Sequence, residues 1–232
     1  MKNLAFTMAE VLITLGIIGI VAAMTLPSLT GNYQNKIIES QLKKGYSTIS
    51  QALNLMYLDS GEDITPQNYP SNTFAEKFKK YLAINQYSKN SDITGTNTDD
   101  YYISNVYKNY NNTVAADASL LDEGQMIIND SMAIFIQNSH VLQVGILITI
   151  DVNGIKKRPN KWGHDLFTFR IDEKGRLIPT EEPNSTYLYG NQKRYCSVKS
   201  TTKQNGLACT YYAINDICPD DRTKSYWDCL PK

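Results

Sequence analysis

A long apolar segment near the start of the chain limits what this sequence can fold into. Residues 6–26 carry a single charged side chain, Glu10, among apolar, small and threonine residues. As an α-helix the segment would measure roughly 30 Å, which matches the hydrocarbon thickness of a bilayer. A carboxylate at that depth is costly unless it has a partner. The segment therefore predicts a membrane-spanning helix in which Glu10 has a specific role.

A cleaved signal peptide and a plain signal anchor are the simpler explanations of this segment. A signal peptide also has a basic start and an apolar core, and residues 21–23 offer a small-residue cleavage site. Glu10 would then lie inside the apolar core, and Lys2 is the only basic residue before it. A signal anchor explains the length of the segment but not the acid. Both explanations are therefore disfavoured.

The N-terminus resembles that of type IV prepilins and type II secretion pseudopilins. The family pattern is a short basic leader ending in a small residue, then Phe-Thr-Leu-x-Glu, an apolar helix, and a proline within the anchor. Four residues of this chain occupy those places: Phe6, Thr7, Glu10 and Pro27. The residue before the phenylalanine is usually glycine in the family, and here it is Ala5.

The resemblance implies how the chain is processed and assembled. A prepilin peptidase would cleave between Ala5 and Phe6 in the cytoplasm and methylate the new amine of Phe6. Glu10 of one subunit would then pair with the Phe6 amine of its neighbour, because opposite charges attract strongly in a medium of low dielectric constant. The implied partners are prepilin peptidase, other pilin or pseudopilin subunits in a homo- or hetero-filament, an inner-membrane assembly platform and membrane lipid.

The expected function is a pilin-like subunit, not an enzyme, that polymerises into a type IV pilus or a secretion pseudopilus. The expected location is the cytoplasmic (inner) membrane, crossed once with the leader inside and the head outside, and then the pilus or pseudopilus. The alternative is a membrane-anchored, disulfide-containing extracytoplasmic binding protein or hydrolase that does not polymerise. The formal net charge is zero, with 23 basic and 23 acidic side chains, so overall charge does not favour nucleic acid.

The predicted fold class is α+β, with a long N-terminal helix packed on a small antiparallel sheet and a disulfide-stapled C-terminal region. The expected parts are a leader (1–5), a transmembrane and filament-core helix (6–30), an amphipathic stem helix (31–61) and a globular head (62–232). Within the head we expect a variable loop at 87–119, a sheet at about 126–178 and a Cys-rich tail at 190–232.

The helix is predicted to continue well beyond the apolar segment. Apolar residues recur on one helical stripe after Gly31, at Ile38, Leu42, Tyr46, Ile49, Leu53 and Met56. Gly61 is placed to end the helix in a left-handed conformation. Pro27 is expected to kink it, because proline removes a backbone donor and clashes with the preceding turn.

The head is predicted to contain one short helix and an antiparallel meander. Residues 74–84 form the helix, with Thr73 and Glu76 as a capping box. The strands are expected at 126–128, 132–136, 144–151 and 166–171. Phe167, Phe169 and Ile171 alternate with polar residues, so one face of the sheet should pack on the stem and the other should meet solvent.

The loops around the last two predicted strands contain the only candidate ion site. Asp151, Asn153 and Asp165 offer the hard oxygen donors that Ca²⁺ prefers, although the EF-hand pattern is not met. The competing and favoured interpretation is that Asn153 and Gly154 make a hairpin turn while Asp165 caps the next element. Calcium is thus a candidate ligand, and no cofactor is required.

All four cysteines lie near the C-terminus: Cys196, Cys209, Cys218 and Cys229. An even set in a translocated domain predicts two disulfides, and pairing between nearest neighbours is favoured among the three possible patterns. A zinc site would need closer Cys-x-x-Cys pairs.

Two further groups have a weaker functional interpretation. His164 beside Asp165 could form a catalytic pair, but a structural or exposed loop histidine is favoured. A basic cluster at 156–158 with Lys161 and Trp162 could contact nucleic acid. A solvated turn is the favoured interpretation of that cluster.

Overall fold

The computed structural model describes residues 7–89, 106–139, 145–180 and 191–231. The chain divides into two compact units, Met1–Ile37 and Ile38–Lys232. Helix α1, Met8–Ser60, supplies residues to both of them. The architecture is α+β, as predicted, with an apolar N-terminal helix, one antiparallel sheet and two disulfides in the C-terminal region.

The first unit consists, in its described part, of the beginning of α1. Its apolar side chains are exposed on all sides of the helix, including Leu12, Ile13 and Ile20. Pro27 lies within α1, and the predicted kink there stays a prediction. The predicted leader, 1–5, lies outside the described residues.

In the second unit, the last part of α1 supplies an apolar stripe to the core of the head. Leu42, Ile49 and Leu53 are buried there, as the periodicity predicted. The helix ends at Ser60, and Gly61 follows it with a φ of +67° and an N–H that donates to the Tyr57 carbonyl at 2.8 Å. The predicted cap is therefore confirmed.

A six-stranded antiparallel meander forms the sheet, and its spatial order is the chain order. The strands are β1 Ile84–Ser88, β2 Gly124–Ile128, β3 Ala133–Gln137, β4 Leu147–Asp151, β5 Leu166–Ile171 and β6 Leu177–Pro179. The four predicted strands correspond to β2 through β5, although residue 144 lies outside the described residues. Strand β1 was not predicted, because only part of it is buried and it has no clean alternation.

Both faces of the sheet are buried, so the prediction of one solvent-exposed face is wrong. Ile148 and Ile150 of β4 pack in the cluster that contains the stripe of α1. Leu147 of the same strand packs on the opposite face, beneath Tyr107 and Trp162. The cover on this second face comes from the segments around 106–121 and 160–166, which precede β2 and β5 in the chain.

The helix predicted at 74–84 is shorter than expected. Helix α2, Phe74–Phe78, is followed by a 3₁₀ turn at Lys79–Tyr81, and the chain then enters β1. The capping box predicted for Thr73 and Glu76 does not form. The Thr73 hydroxyl donates instead to the Pro70 carbonyl, and the N–H of Phe74 donates to the side chain of Asn138. A tertiary contact has replaced the local cap.

The C-terminal region carries two short helices, α3 at Gln192–Tyr195 and α4 at Cys209–Asn215. Cys196 is bonded to Cys209 and Cys218 to Cys229, which is the nearest-neighbour pairing that was favoured. Of the predicted variable loop, 87–119, residues 90–105 lie outside the described residues. Its first residues belong to β1, and its last form a 3₁₀ turn at Ala118–Leu120.

Candidate functional site

The start of α1 is the first candidate site. Within the described residues, Met8–Leu26 is the one helical segment that is long and apolar enough to cross a membrane, a property that signal sequences share. None of this segment is buried within the structure. A helix that is apolar on every side needs an apolar environment around its whole circumference, such as lipid or other protein.

Glu10 is engaged in a local capping box with Thr7. Its Oε2 accepts the N–H and the hydroxyl of Thr7, both at 2.8 Å, while the Thr7 hydroxyl accepts the N–H of Glu10 at 3.3 Å. This Thr-x-x-Glu capping box was not predicted, although its pattern is present in the sequence. Ala5 and Phe6, the predicted processing residues, lie outside the described residues.

The loop after β4 is the second candidate site, and Asp151 begins it. Asp151 is the last residue of β4 and is fully buried on the face covered by Tyr107. Its Oδ1 accepts the backbone N–H groups of Asn153 at 3.2 Å and Gly154 at 2.8 Å, which folds the chain into a tight turn. Its Oδ2 accepts the hydroxyl of Tyr107 at 2.7 Å. The hairpin turn predicted at Asn153 and Gly154 is not formed, because the longer segment 152–165 joins β4 to β5.

Asp165 lies beside this turn, at the start of β5. The two strands place it there, because Asp151 pairs with Leu166 in the register and the Val152 N–H donates to the Asp165 carbonyl at 2.9 Å. The fully buried carboxylate of Asp165 accepts the backbone N–H groups of Asn160 at 2.7 Å and Lys161 at 2.8 Å. It thus holds the end of the preceding 154–161 loop, whereas the prediction had it capping the next element.

Two asparagine side chains complete the site. Asn153 is 9 % exposed and Asn160 is 7 % exposed. Each uses its amide nitrogen on a backbone carbonyl of the same loop, Asn153 on Arg158 at 3.1 Å and Asn160 on Ile155 at 3.0 Å. Their Oδ1 atoms are buried and accept no hydrogen bond from the described residues. Asn160 was not among the predicted ligands, since its burial depends on how the loop folds.

The two carboxyl groups perturb each other. Burial raises the pKa of both Asp151 and Asp165 above the usual range of an aspartate, and the charge of Asp165 raises that of Asp151 further. The hydrogen bonds from Tyr107, from the backbone and from the Asn153 amide act in the opposite direction. None of the ion pairs formed within the described residues includes either carboxylate.

The three predicted calcium ligands, Asp151, Asn153 and Asp165, are therefore brought together by the fold. In the part of the chain that the structure describes, no group of three or more His, Cys, Asp or Glu side chains is placed to hold a metal. The oxygen donors in this loop come from two aspartates and two asparagines. Asparagine is not one of the four residue types in such a group.

His164 and Asp165 are directed to different partners. The buried ring of His164 has its Nε2 2.9 Å from the Tyr110 carbonyl, while Asp165 is bonded to backbone amides. Burial lowers the pKa of His164 to about 4, so the ring is neutral at pH 7 and donates from Nε2. Its contacts are those of a structural residue that ties the 106–111 segment to the loop.

The basic cluster also differs from the nucleic-acid interpretation. Lys156, Lys157 and Arg158 are exposed, as a solvated turn requires. Trp162 is fully buried, and its indole N–H donates to the Thr168 hydroxyl at 2.9 Å. The ring that the disfavoured nucleic-acid interpretation required to be exposed is therefore part of the core.

Comparison of the chain with protein-family models, with curated proteins and with solved structures finds no match in any of the three.

Proposed function

We propose that this protein is a pilin-like subunit that a prepilin peptidase cleaves between Ala5 and Phe6 and N-methylates, and that then polymerises into a type IV pilus or a secretion pseudopilus. One observation carries the proposal: a single carboxylate, Glu10, lies in the first turn of a helix whose next turns are apolar and exposed on every side. The resemblance of the first residues to prepilins supplies the processing step.

The exposed apolar surface of Met8–Leu26 supports storage in a membrane and then burial in a filament. Leu12, Ile13 and Ile18 are each more than three-fifths exposed and lie on different sides of the helix. Contiguous apolar surface of this extent marks a membrane or protein contact. Lipid covers it before assembly, and the helices of neighbouring subunits cover it afterwards.

Glu10 has a free acceptor for the partner that the proposal gives it. Oε2 is occupied by Thr7, whereas Oε1 accepts no hydrogen bond from the described residues. The N-methylated amine of Phe6 in the adjacent subunit bonds to this carboxylate. Because an unpaired charge is costly in an apolar filament core, the pair selects one axial register between subunits.

The location and partners follow from this assembly. The head lies outside the cytoplasmic membrane, where its two disulfides persist in an oxidising environment. The subunit meets prepilin peptidase and the assembly platform in the inner membrane, and then other pilin or pseudopilin subunits in a homo- or hetero-filament.

The variant E10Q tests the charge without removing the cap. Glutamine completes a capping box as glutamate does, so E10Q removes only the negative charge. Immunolabelled surface filaments, or the sheared pilin fraction, should fall sharply in E10Q at unchanged cellular protein level. The control T7A removes the hydroxyl of the capping box and keeps the charge, and it should assemble nearly as wild type does. Wild-type assembly of E10Q would contradict the pairing mechanism.

The mass of the native N-terminus tests the processing step. N-methylated Phe6 is expected at the start of the mature chain. A retained Met1 would rule out prepilin processing and would favour the alternative, a membrane-anchored binding protein or hydrolase that does not polymerise.

A further inference from the structure

A cluster of positive charge lies around the loop that joins β4 to β5. We propose that this cluster binds the anionic phospholipid headgroups of the membrane that anchors the chain. The proposal rests on the membrane anchor of the proposed function and not on polymerisation. The cluster is named the basic surface, and its members are Lys108, Lys156, Lys157, Arg158 and Lys161.

The centre of the basic surface is a run of three cations. Lys156, Lys157 and Arg158 are consecutive and exposed. None of the ion pairs formed within the described residues includes any of them. The chain has as many acidic as basic side chains, so the lack of acidic partners here does not result from its composition. Positive charge is therefore concentrated on this part of a neutral protein.

Two lysines from different segments extend the basic surface. A backbone bridge holds Lys108 beside Lys161, and the Trp162 N–H donates to the Lys108 carbonyl at 3.0 Å. Both lysines are partly exposed, and no ion pair in the described part of the chain includes either. Like charges placed opposite each other destabilise a fold. An external anion would relieve this repulsion.

Two buried carboxylates reduce this positive charge but do not cancel it. Asp151 and Asp165 are fully buried beneath the loop, and the Asp165 carboxylate accepts the backbone N–H of Lys161 at 2.8 Å. Their hydrogen bonds go to the backbone and to the Tyr107 hydroxyl, not to the cationic side chains. Even with both carboxylates ionised, the five cations leave an excess of positive charge.

The backbone that carries the three central cations is fixed by hydrogen bonds. The Asn153 amide donates to the Arg158 carbonyl at 3.1 Å, and the Lys157 N–H donates to the Gly154 carbonyl at 2.8 Å. A pre-organised backbone loses little conformational entropy when a ligand binds. The loop thus presents its cations without having to fold around an anion.

The loop lies at the end of the second unit where the chain enters it. Lys44, in the second turn of the part of α1 that belongs to this unit, is paired with Asp130 at 2.9 Å. The next residue, Ser131, contacts Gly154 so closely that a Cβ on the glycine would overlap its carbonyl oxygen. These contacts connect the start of this part of α1 to the basic surface.

The covalent chain keeps the basic surface close to a bilayer. Ile38, the first residue of the second unit, follows Leu26, the last residue of the apolar segment, by twelve positions. A chain of this length extends at most roughly 40 Å, so an anchored protein holds the second unit within that distance of the headgroups. Tethering of this kind raises the effective concentration of the two partners.

Lipid phosphate suits the basic surface better than single-stranded nucleic acid does. Each lysine or arginine near an anionic bilayer strengthens the attraction about fivefold. Single-stranded nucleic acid is normally held by exposed aromatic rings as well as by cations, and the adjacent Trp162 is fully buried. A nucleic-acid duplex would offer phosphates without stacking, so it is the competing ligand in the experiment.

Amine labelling of the full chain in lipid nanodiscs tests the proposal. Nanodiscs of phosphatidylcholine are compared with nanodiscs that also contain phosphatidylglycerol, and mass spectrometry gives the labelling rate of each lysine. Lys156 and Lys157 should react at least ~5-fold more slowly in the anionic nanodiscs. The difference should disappear in about 1 M NaCl, because the screening length is then only ~3 Å.

Lys80 is the internal control for this labelling. It is exposed and adjoins Tyr81, whose hydroxyl donates to Asp59 in the last turn of α1 at 2.6 Å. It therefore lies near the opposite end of the part of α1 that contains Lys44. Its labelling rate should be the same in neutral and anionic nanodiscs.

A pair of double variants identifies the surface, with Lys161 as the reporter. K156Q/K157Q should abolish most of the protection of Lys161 in anionic nanodiscs. The matched control K80Q/K174Q removes two exposed lysines outside the basic surface and should keep that protection. Equal loss of protection in both variants would reject the basic surface as the contact.

The wild-type comparison decides the proposal without the variants. Equal labelling of Lys156 and Lys157 in neutral and anionic nanodiscs would overturn it and would leave a solvated loop. Protection by duplex DNA in neutral nanodiscs, without protection in anionic nanodiscs, would also overturn it and would assign the surface to nucleic acid. A chain that does not enter nanodiscs would instead refute the membrane anchor of the proposed function, and the lipid contact with it.

Discussion

Gly124 of β2 and Ala75 of α2 are in such close contact that a methyl group on the glycine would overlap the Ala75 Cβ. The Ala75 Cβ is fixed by its own backbone and cannot rotate away. The short helix α2 can therefore approach the sheet only because the strand has no side chain at this point.

This contact predicts a compensating pair of substitutions. G124A should lower the free energy of unfolding by ~1–3 kcal/mol through overpacking, and A75G should lower it by about 1 kcal/mol through loss of helix propensity. The double variant moves the methyl group from residue 75 to residue 124. Its loss of unfolding free energy should therefore be ~0.5–3 kcal/mol smaller than the sum of the losses of the two single variants. Denaturant titration of the four proteins measures this coupling.

The control is G31A, a glycine of α1 with open space around it. This substitution should be neutral or stabilising, because alanine favours the helix. Strictly additive losses in the Gly124 and Ala75 variants would contradict the contact.

His164 predicts a pH dependence of stability. Its pKa is about 4 in the folded state because of burial, and about 6.5 in the unfolded chain. Between these two pKa values the unfolded state binds more protons than the folded state. The buried neutral ring therefore contributes fully to the free energy of unfolding above pH 6.5, and this contribution is lost as the pH falls towards 4. The loss amounts to about 3 kcal/mol.

The variant H164Q isolates this effect, since glutamine can still donate to the Tyr110 carbonyl but does not titrate. Asp151 and Asp165, whose pKa values are raised, act in the opposite direction as the pH falls. The measured quantity is therefore the difference in the free energy of unfolding between wild type and H164Q at pH 4.5 and pH 7. A difference that does not change with pH would refute the buried neutral ring.

The sequence predicted those features that depend on local periodicity or on neighbours in the chain. The stripe from Leu42 to Met56 repeats at helical spacing, and the disulfide partners are the nearest cysteines. The sequence also grouped Asp151, Asn153 and Asp165 in one candidate site, and the register of β4 and β5 places Asp151 opposite Leu166, the neighbour of Asp165.

The features that were missed depend on contacts that no periodicity or short motif in the sequence specifies. The Thr73 hydroxyl donates to the Pro70 carbonyl instead of capping α2, and Asn138, which follows β3, accepts the N–H of Phe74. The outer face of the sheet is buried because Tyr107 and Trp162 cover it. Asn160 became a candidate ligand only when the fold showed its oxygen to be buried without a partner.

The burial of Trp162 predicts its fluorescence. The chain has two tryptophans, and W227F leaves Trp162 as the only one, so its emission can be excited selectively at wavelengths that tyrosine does not absorb. Its emission should be blue-shifted in the folded protein and weakly quenched by acrylamide, because the ring is fully buried. Adding single-stranded oligonucleotide should not change it, since a buried ring cannot stack on a base. Red-shifted, readily quenched emission would restore the exposed aromatic of the nucleic-acid interpretation.

The two disulfides close loops of similar length, with sequence separations of 13 and 11, yet they differ in burial. Cys196 and Cys209 are fully buried, whereas Cys229 is only partly buried. Loop closure alone predicts a loss of about 3 kcal/mol for either bond. C196S/C209S should lose ~1–3 kcal/mol more than C218S/C229S, because it places two hydroxyl groups in the core. Denaturant titration of both double variants measures the difference, and equal losses would show that burial of the first disulfide adds nothing to its effect on stability.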